Sequence, residues 1–148
     1  MGKKELEQFL NGFKPTRKSR KAEHPEHDIQ CACVRWFRFQ YPEHERLMIA
    51  IPNGGRRDRI TAARLKEEGV MAGAPDLFLF LPNRLYHGLA VEMKTNVGRQ
   101  SPSQKEWQFC CESEGYRYEL CRSLDEFIAI IKDYMKERGK VCATDGLR

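Results

Sequence analysis

Three residues near the middle of the chain have types and spacing that could do chemistry together: Asp76, Glu92 and Lys94. Asp76 follows Pro75 and opens an apolar run that ends at Leu81. A second run, Gly88 to Met93, carries Glu92 near its end, and Lys94 follows at once. The bend between them, Pro-Asn-Arg-Leu-Tyr-His, is short enough to join antiparallel strands. A hairpin centred near Arg84 sets position 76 opposite position 92, where Cβ atoms lie about 4.5–5.5 Å apart. Glu92 and Lys94, two residues apart on one strand, point to the same face. A slip of one residue in the pairing would separate the acids.

Adjacent carboxylates raise the cost of ionising one another, and a divalent cation removes that cost. Oxygen donors at this density suit Mg²⁺ or Mn²⁺, which accept one or two carboxylates and keep several waters. Such an ion lowers the pKa of its water and stabilises negative charge on a phosphate oxygen. The lysine adds a fixed positive charge that could orient the attacking water or help deprotonate it. Together these groups suit hydrolysis of a phosphodiester. An acid two residues before a lysine is expected about once or twice by chance in such a chain, and as a surface pair it contributes about 0–1 kcal/mol. The weight comes from context: the charges stop two opposing apolar runs at the end away from the bend.

The elements that must hold these residues are legible in outline. Pro25 to Gln40 reads as a helix, with Pro25 at its first position and a largely apolar face of Ile29, Cys33, Trp36, Phe37 and Gln40 at helical spacing. Leu47 to Pro52 has strand length, and Asn-Gly-Gly ends it in a turn. A second helix is expected over about Asp58 to Glu68, stopped by Gly69. The two central strands follow. A third helix starts at Ser101-Pro102 with a capping box to Gln104. "YRYELC" alternates as a strand should, and a last helix starts at Ser123 with a second capping box to Glu126. The order α-β-α-β-β-α-β-α predicts an α/β sandwich: a small mixed sheet of about four strands flanked by helices.

The chain's 148 residues suffice for one domain. No apolar run approaches the roughly 20 residues of a membrane span, and the N-terminus lacks the apolar stretch of a secretory signal, so a soluble intracellular protein without membrane contact is expected. Residues 1–21 hold seven Lys/Arg against Glu5 and Glu7, which accounts for the whole net charge of +5. This basic, flexible arm suits phosphate backbones; a solvated tail without a partner is the competing reading. A folded body is assigned to 22–140 and a short tail to 141–148. None of the six cysteines is in CxxC spacing, which argues against a zinc ribbon. Buried reduced thiols are favoured over an iron–sulfur cluster. His24, His27, His44 and His87 show no metal-ligand spacing, and His27 reads as a surface residue.

The Pro75-Asp76 pair with Glu92-Met93-Lys94 resembles the PD-(D/E)XK nuclease superfamily. With "IPNGGRR", "RLKEEGVMAGAPDLFLF", "LAVEMKTNVGRQSPSQKEW" and "SLDEFIAIIKDYM", the chain is similar to the VRR-Nuc (virus-type replication-repair nuclease) family from about Glu26 to Tyr134. The resemblance implies a restriction-endonuclease-like fold and a Mg²⁺- or Mn²⁺-dependent endonuclease. It suggests structure-selective cutting of branched DNA such as four-way junctions, by a homodimer in the cytoplasm of a prokaryotic or viral host cell. Asp76, Glu92 and the backbone carbonyl of Met93 would hold the metal, and Lys94 would be the catalytic lysine. Glu26, one helical turn before Gln30, would be an auxiliary acid at the metal site; a favourable charge at a helix N-terminus is its other reading, and Glu23 and Asp28 are rivals. Gln104 would reach the site or the scissile phosphate, with the capping box as its alternative.

Asn53, Gly54, Gly55, Arg56, Arg57 and Arg59 could hold a DNA phosphate, or form an ordinary turn into a helix. Arg99 and Lys105 are further candidates for DNA contact. Trp36, Phe37 and Phe39 cover more of the first helix than one core-facing stripe, which permits an interface. A different function class is a catalytically silent nucleic-acid-binding module descended from a nuclease. The intact Asp76, Glu92 and Lys94 set argues against it. A sequence-specific restriction-type enzyme ranks lower, since no added recognition domain is visible.

Overall fold

The structure, a computed structural model, describes residues 25–52 and 59–138. The arm, the Asn53 to Arg57 candidates, the side chain of Arg59, Glu23, Cys142 and the tail lie outside the described residues. The elements are α1 (Pro25–Gln40), a 3₁₀ turn (Pro42–Leu47), β1 (Met48–Ala50), α2 (Arg59–Glu67), β2 (Leu77–Leu79), β3 (Leu89–Met93), α3 (Pro102–Ser113), β4 (Arg117–Cys121) and α4 (Leu124–Lys136). They follow the predicted order. The strands are shorter than the apolar runs: Leu47 closes the 3₁₀ turn instead of entering β1, and β2 stops at Leu79.

The four strands lie side by side as β1-β2-β3-β4, with β1-β2 and β2-β3 antiparallel and β3-β4 parallel. All five residues of β3 are buried, because both faces of the sheet are covered there. On one face Leu89, Val91 and Met93 meet Leu77 and Leu79 of β2, Cys33, Trp36 and Phe37 of α1, and Phe127, Ile131 and Tyr134 of α4. Trp36 stacks edge-on against Phe127 with ring centroids 6.1 Å apart, a favoured aromatic geometry. On the other face Ala90 and Tyr118 pack under α3 through Cys111 and Trp107.

Two helix starts are fixed locally. At α3, Gln104 N–H donates to the Ser101 hydroxyl (3.3 Å) and Ser101 N–H donates to Gln104 Oε1 (2.8 Å). At α4, Glu126 N–H donates to the Ser123 hydroxyl at 3.1 Å, but the Glu126 carboxylate accepts from Arg122 N–H instead of Ser123 N–H, so the expected capping box is only half formed. The five described cysteines are free. Cys33, Cys111 and Cys121 are buried as expected, but Cys31 is half-buried and Cys110 exposed, correcting the expectation of burial for all. Consecutive helical positions point about 100° apart, so Cys110 cannot share the inward face of Cys111. Phe39 is also exposed.

The connection between β2 and β3 is held by Asn83. Its Oδ1 accepts from Leu85 N–H (2.9 Å) and Tyr86 N–H (2.7 Å), and its Nδ2 donates to the Tyr134 carbonyl (3.1 Å). This side chain mimics a backbone turn and ties the bend to α4. Asn83→Ala is expected to cost about 1–2 kcal/mol in a denaturation experiment, with no change in the DNA substrate preferred.

Candidate active site

The pairs Leu77↔Val91, Phe78↔Ala90 and Leu79↔Leu89 set the β2-β3 register. It is the register expected from the apolar pattern, and continued by one residue it sets Asp76 opposite Glu92. Asp76 sits just before β2 because Gly73, Ala74 and Pro75 lead the chain in. Gly73 adopts a positive φ of 82°, and a Cβ there would come within 2.6 Å of the Ser103 backbone. Only glycine suits that backbone and that approach. Asp76 is held by its Oδ2, which accepts from Met93 N–H at 2.8 Å.

Glu92 is 2% exposed and faces the α3 side of the sheet. Lys94 Nζ lies 3.0 Å from its Oε1. Gln104 Nε2 donates to the same oxygen, and the Tyr118 hydroxyl donates to Oε2 at 3.4 Å. Gln104 therefore fills both roles open to it in the sequence: its oxygen closes the α3 cap and its nitrogen meets the acid. Burial pushes the Glu92 carboxyl from 4.5 up to about 7, with the Asp76 charge adding to the rise and Lys94 opposing it. Burial likewise raises Asp76, against the lowering pull of Met93 N–H and Lys94, while the charge of Glu26 adds to the rise.

Glu26 comes to this end of the sheet from α1, and its Oε1 accepts from Thr95 N–H at 3.0 Å. Among its rivals, Asp28 is exposed. His27 is exposed too, with its ring 3.5 Å from Cys31 Sγ. Arg99 and Lys105 are exposed, and among the described contacts neither reaches the carboxylates. Two residues with no motif behind them belong to the site: Tyr118 on Glu92, and Arg122, whose Nη1 donates to the Thr95 carbonyl. The alternation of "YRYELC" indicated a strand but not its parallel register with β3, which places Tyr118 beside Ala90.

The donor set can be tested against a divalent ion. Two carboxylates face one ammonium, so one negative charge is left over beside Glu92, where burial disfavours it. That excess and the hard oxygen donors fit a small dication. Among the described residues no three or more His, Cys, Asp and Glu side chains form a ready metal cage. Two carboxylates with waters completing the shell suit Mg²⁺ more than a closed structural site does.

The small mixed sheet flanked by helices, with Asp76 just before β2 and Glu92 near the end of β3, has a restriction-endonuclease-like fold. The VRR-NUC domain model matches residues 15–125; the chain belongs to the VRR-NUC domain family. A solved structure of a VRR_NUC domain protein is 28% identical, covering 77% of this chain and 90% of its own, with a TM-score of 0.67. A second solved VRR_NUC domain is 18% identical, covering 74% of this chain and 97% of its own, with a TM-score of 0.48. No curated protein matches the chain. Among the described residues no helix is long and apolar enough to cross a membrane.

Proposed function

We propose that the protein is a metal-dependent DNA endonuclease that acts on branched DNA, four-way junctions included, as a homodimer. The observation that carries the hydrolytic reading is the β2-β3 register, which continued by one residue sets Asp76 opposite Glu92, with Lys94 Nζ 3.0 Å from Glu92. Asp76, Glu92 and the Met93 carbonyl would hold Mg²⁺ or Mn²⁺. When bound, the ion supplies a hydroxide-like water and neutralises charge on the scissile phosphate.

The residues of the chain do the rest. Lys94 offers a proton donor and a positive charge beside Glu92, suited to orienting a water and to countering the charge that develops on phosphorus oxygens. Gln104 and Tyr118 fix the rotamer of Glu92 by hydrogen bonds. Glu26 steadies the backbone that follows Lys94 and adds negative charge near Asp76, an auxiliary role at a metal site. Lys105, Arg99, the 53–59 segment and the basic arm 1–21 are proposed phosphate contacts. Branched DNA and a two-fold dimer go together, since a dimer offers two sites to two strands of a symmetric junction.

The test is a substrate panel: a four-way junction, a flap and linear duplexes, each with Mg²⁺, Mn²⁺ or chelator. Cleavage of the junction with either ion and none in chelator is the expected result. Equal cutting of linear duplex would remove the structural preference, and tight binding without cleavage under every condition would favour the silent module.

A further inference from the structure

Arg122 follows β4 directly and carries no motif. Its Nη1 donates to the Thr95 carbonyl and, at 3.0 Å, to the Gly98 carbonyl. Both carbonyls belong to the turn after Lys94, which closes through Gly98 N–H to Thr95 O at 3.1 Å. Thr95 is thus gripped from two sides, its N–H by Glu26 and its carbonyl by Arg122. The anchor itself is fixed. Arg122 N–H donates to Glu126 Oε2 at 2.7 Å, and the preceding residue's carbonyl, Cys121 O, accepts from Lys94 N–H at 2.9 Å.

The turn also runs beside the lysine. A Cβ built on Gly98 would stand 3.4 Å from Lys94 Cδ and 3.0 Å from Thr95 Oγ1. The turn thus runs beside the aliphatic stem at ordinary contact distance, and its tighter approach at Gly98 is to its own Thr95. That stem has four rotatable bonds and, unaided, would carry Nζ through many positions.

We propose that Arg122 is a positioning residue for Lys94: its guanidinium pins the 95–98 turn, and with it the backbone that follows the lysine, and so keeps Nζ at Glu92. This deepens the hydrolytic reading and rests on it. A displacement of about 1 Å in a catalytic group can cost about 10²-fold in rate, which makes a turn clamp a sensitive control point. The competing role for an arginine at such a site is direct contact with a DNA phosphate. That role predicts weaker binding and a salt dependence reduced by about one counterion.

The test uses full-length Arg122→Gln and Arg122→Lys with the junction substrate. Single-turnover cleavage, DNA affinity in chelator across salt, and amide exchange at Thr95 and Gly98 are measured. The expected result for Arg122→Gln is a rate lower by about 10–100-fold, DNA affinity within about 3-fold of wild type, and faster exchange at both amides. Arg122→Lys, which keeps a donor, should recover part of the rate. A loss residing in affinity, with a smaller salt slope, would overturn the proposal in favour of a phosphate contact. Wild-type exchange at Thr95 and Gly98 in Arg122→Gln would overturn it whatever the rate. If the wild type cuts no DNA with either ion, the hydrolytic reading falls first. If it cuts and the variant cuts equally fast, the clamp alone falls.

Discussion

Asp76→Asn should lower metal-dependent cleavage by about 10³-fold or more while leaving the fold intact. The substitution removes one of two carboxylates facing the proposed ion. Loss of several kcal/mol of charge stabilisation is expected from such a site, and each 1.36 kcal/mol is a factor of ten in rate. Stability should hold because the side chain is isosteric and Asn keeps an oxygen for the Met93 N–H that Asp76 now accepts at 2.8 Å. Single-turnover assays with Mg²⁺ or Mn²⁺, beside thermal unfolding, give both readouts. Lys94→Ala belongs in the same series, and its loss should appear in rate more than in metal affinity. Wild-type rates in Asp76→Asn, with an unaltered metal requirement, would move the chemistry elsewhere.

The second large effect is on stability. Glu92 has its carboxyl raised from 4.5 to about 7, so the folded state holds its proton more tightly than the unfolded chain does. The resulting stabilisation is complete below pH 4.5 and is lost as pH rises through about 7. Without divalent ions, the protein should lose about 2–4 kcal/mol of stability across that window from this group. Asp76, raised by burial, contributes in the same direction. Glu92→Gln removes the titration, so the wild-type curve minus the variant curve isolates it. Mg²⁺ should restore stability at pH 8 but not at pH 5, adding about 1.4 kcal/mol at ten times its dissociation constant. A wild-type curve that stays level or rises relative to Glu92→Gln over this range would contradict the buried, charge-strained acid.

Much of this site can be read along the chain. The pairing of the two central strands follows from where the apolar runs start and stop, and the observed register matches it; a one-residue slip would set Asp76 beside Val91 or Met93, whose side chains point to the other face from Glu92. The caps at Ser101 and Ser123 were legible for a simpler reason: each spans four residues and satisfies backbone donors locally. The apolar runs overstated the length of β1 and β2, since apolar residues can pack against the core from outside the ladder: Leu47 does so half-buried in the 3₁₀ turn, and Leu81 does so buried, past the end of β2. The cysteines show the same limit at one remove. Residue type suggested burial, but which of Cys110 and Cys111 is buried depends on how α3 is rotated on the sheet.

By itself the sequence determined the acid, acid and lysine set, the hairpin that gathers it, the order of elements and the family. These rest on spacing within strands and on hydrogen bonds between near neighbours. Tertiary structure alone decided that Glu26, Tyr118 and Arg122 meet at the same end of the sheet, and that Gln104 serves the cap and the acid together. A helical crossover of about a dozen residues leaves the parallel register of β3 and β4 free, and packing over the shared core fixed it. The partners that hold Glu92 and Thr95 in place come from across that packed interface, where no spacing along the chain could have announced them.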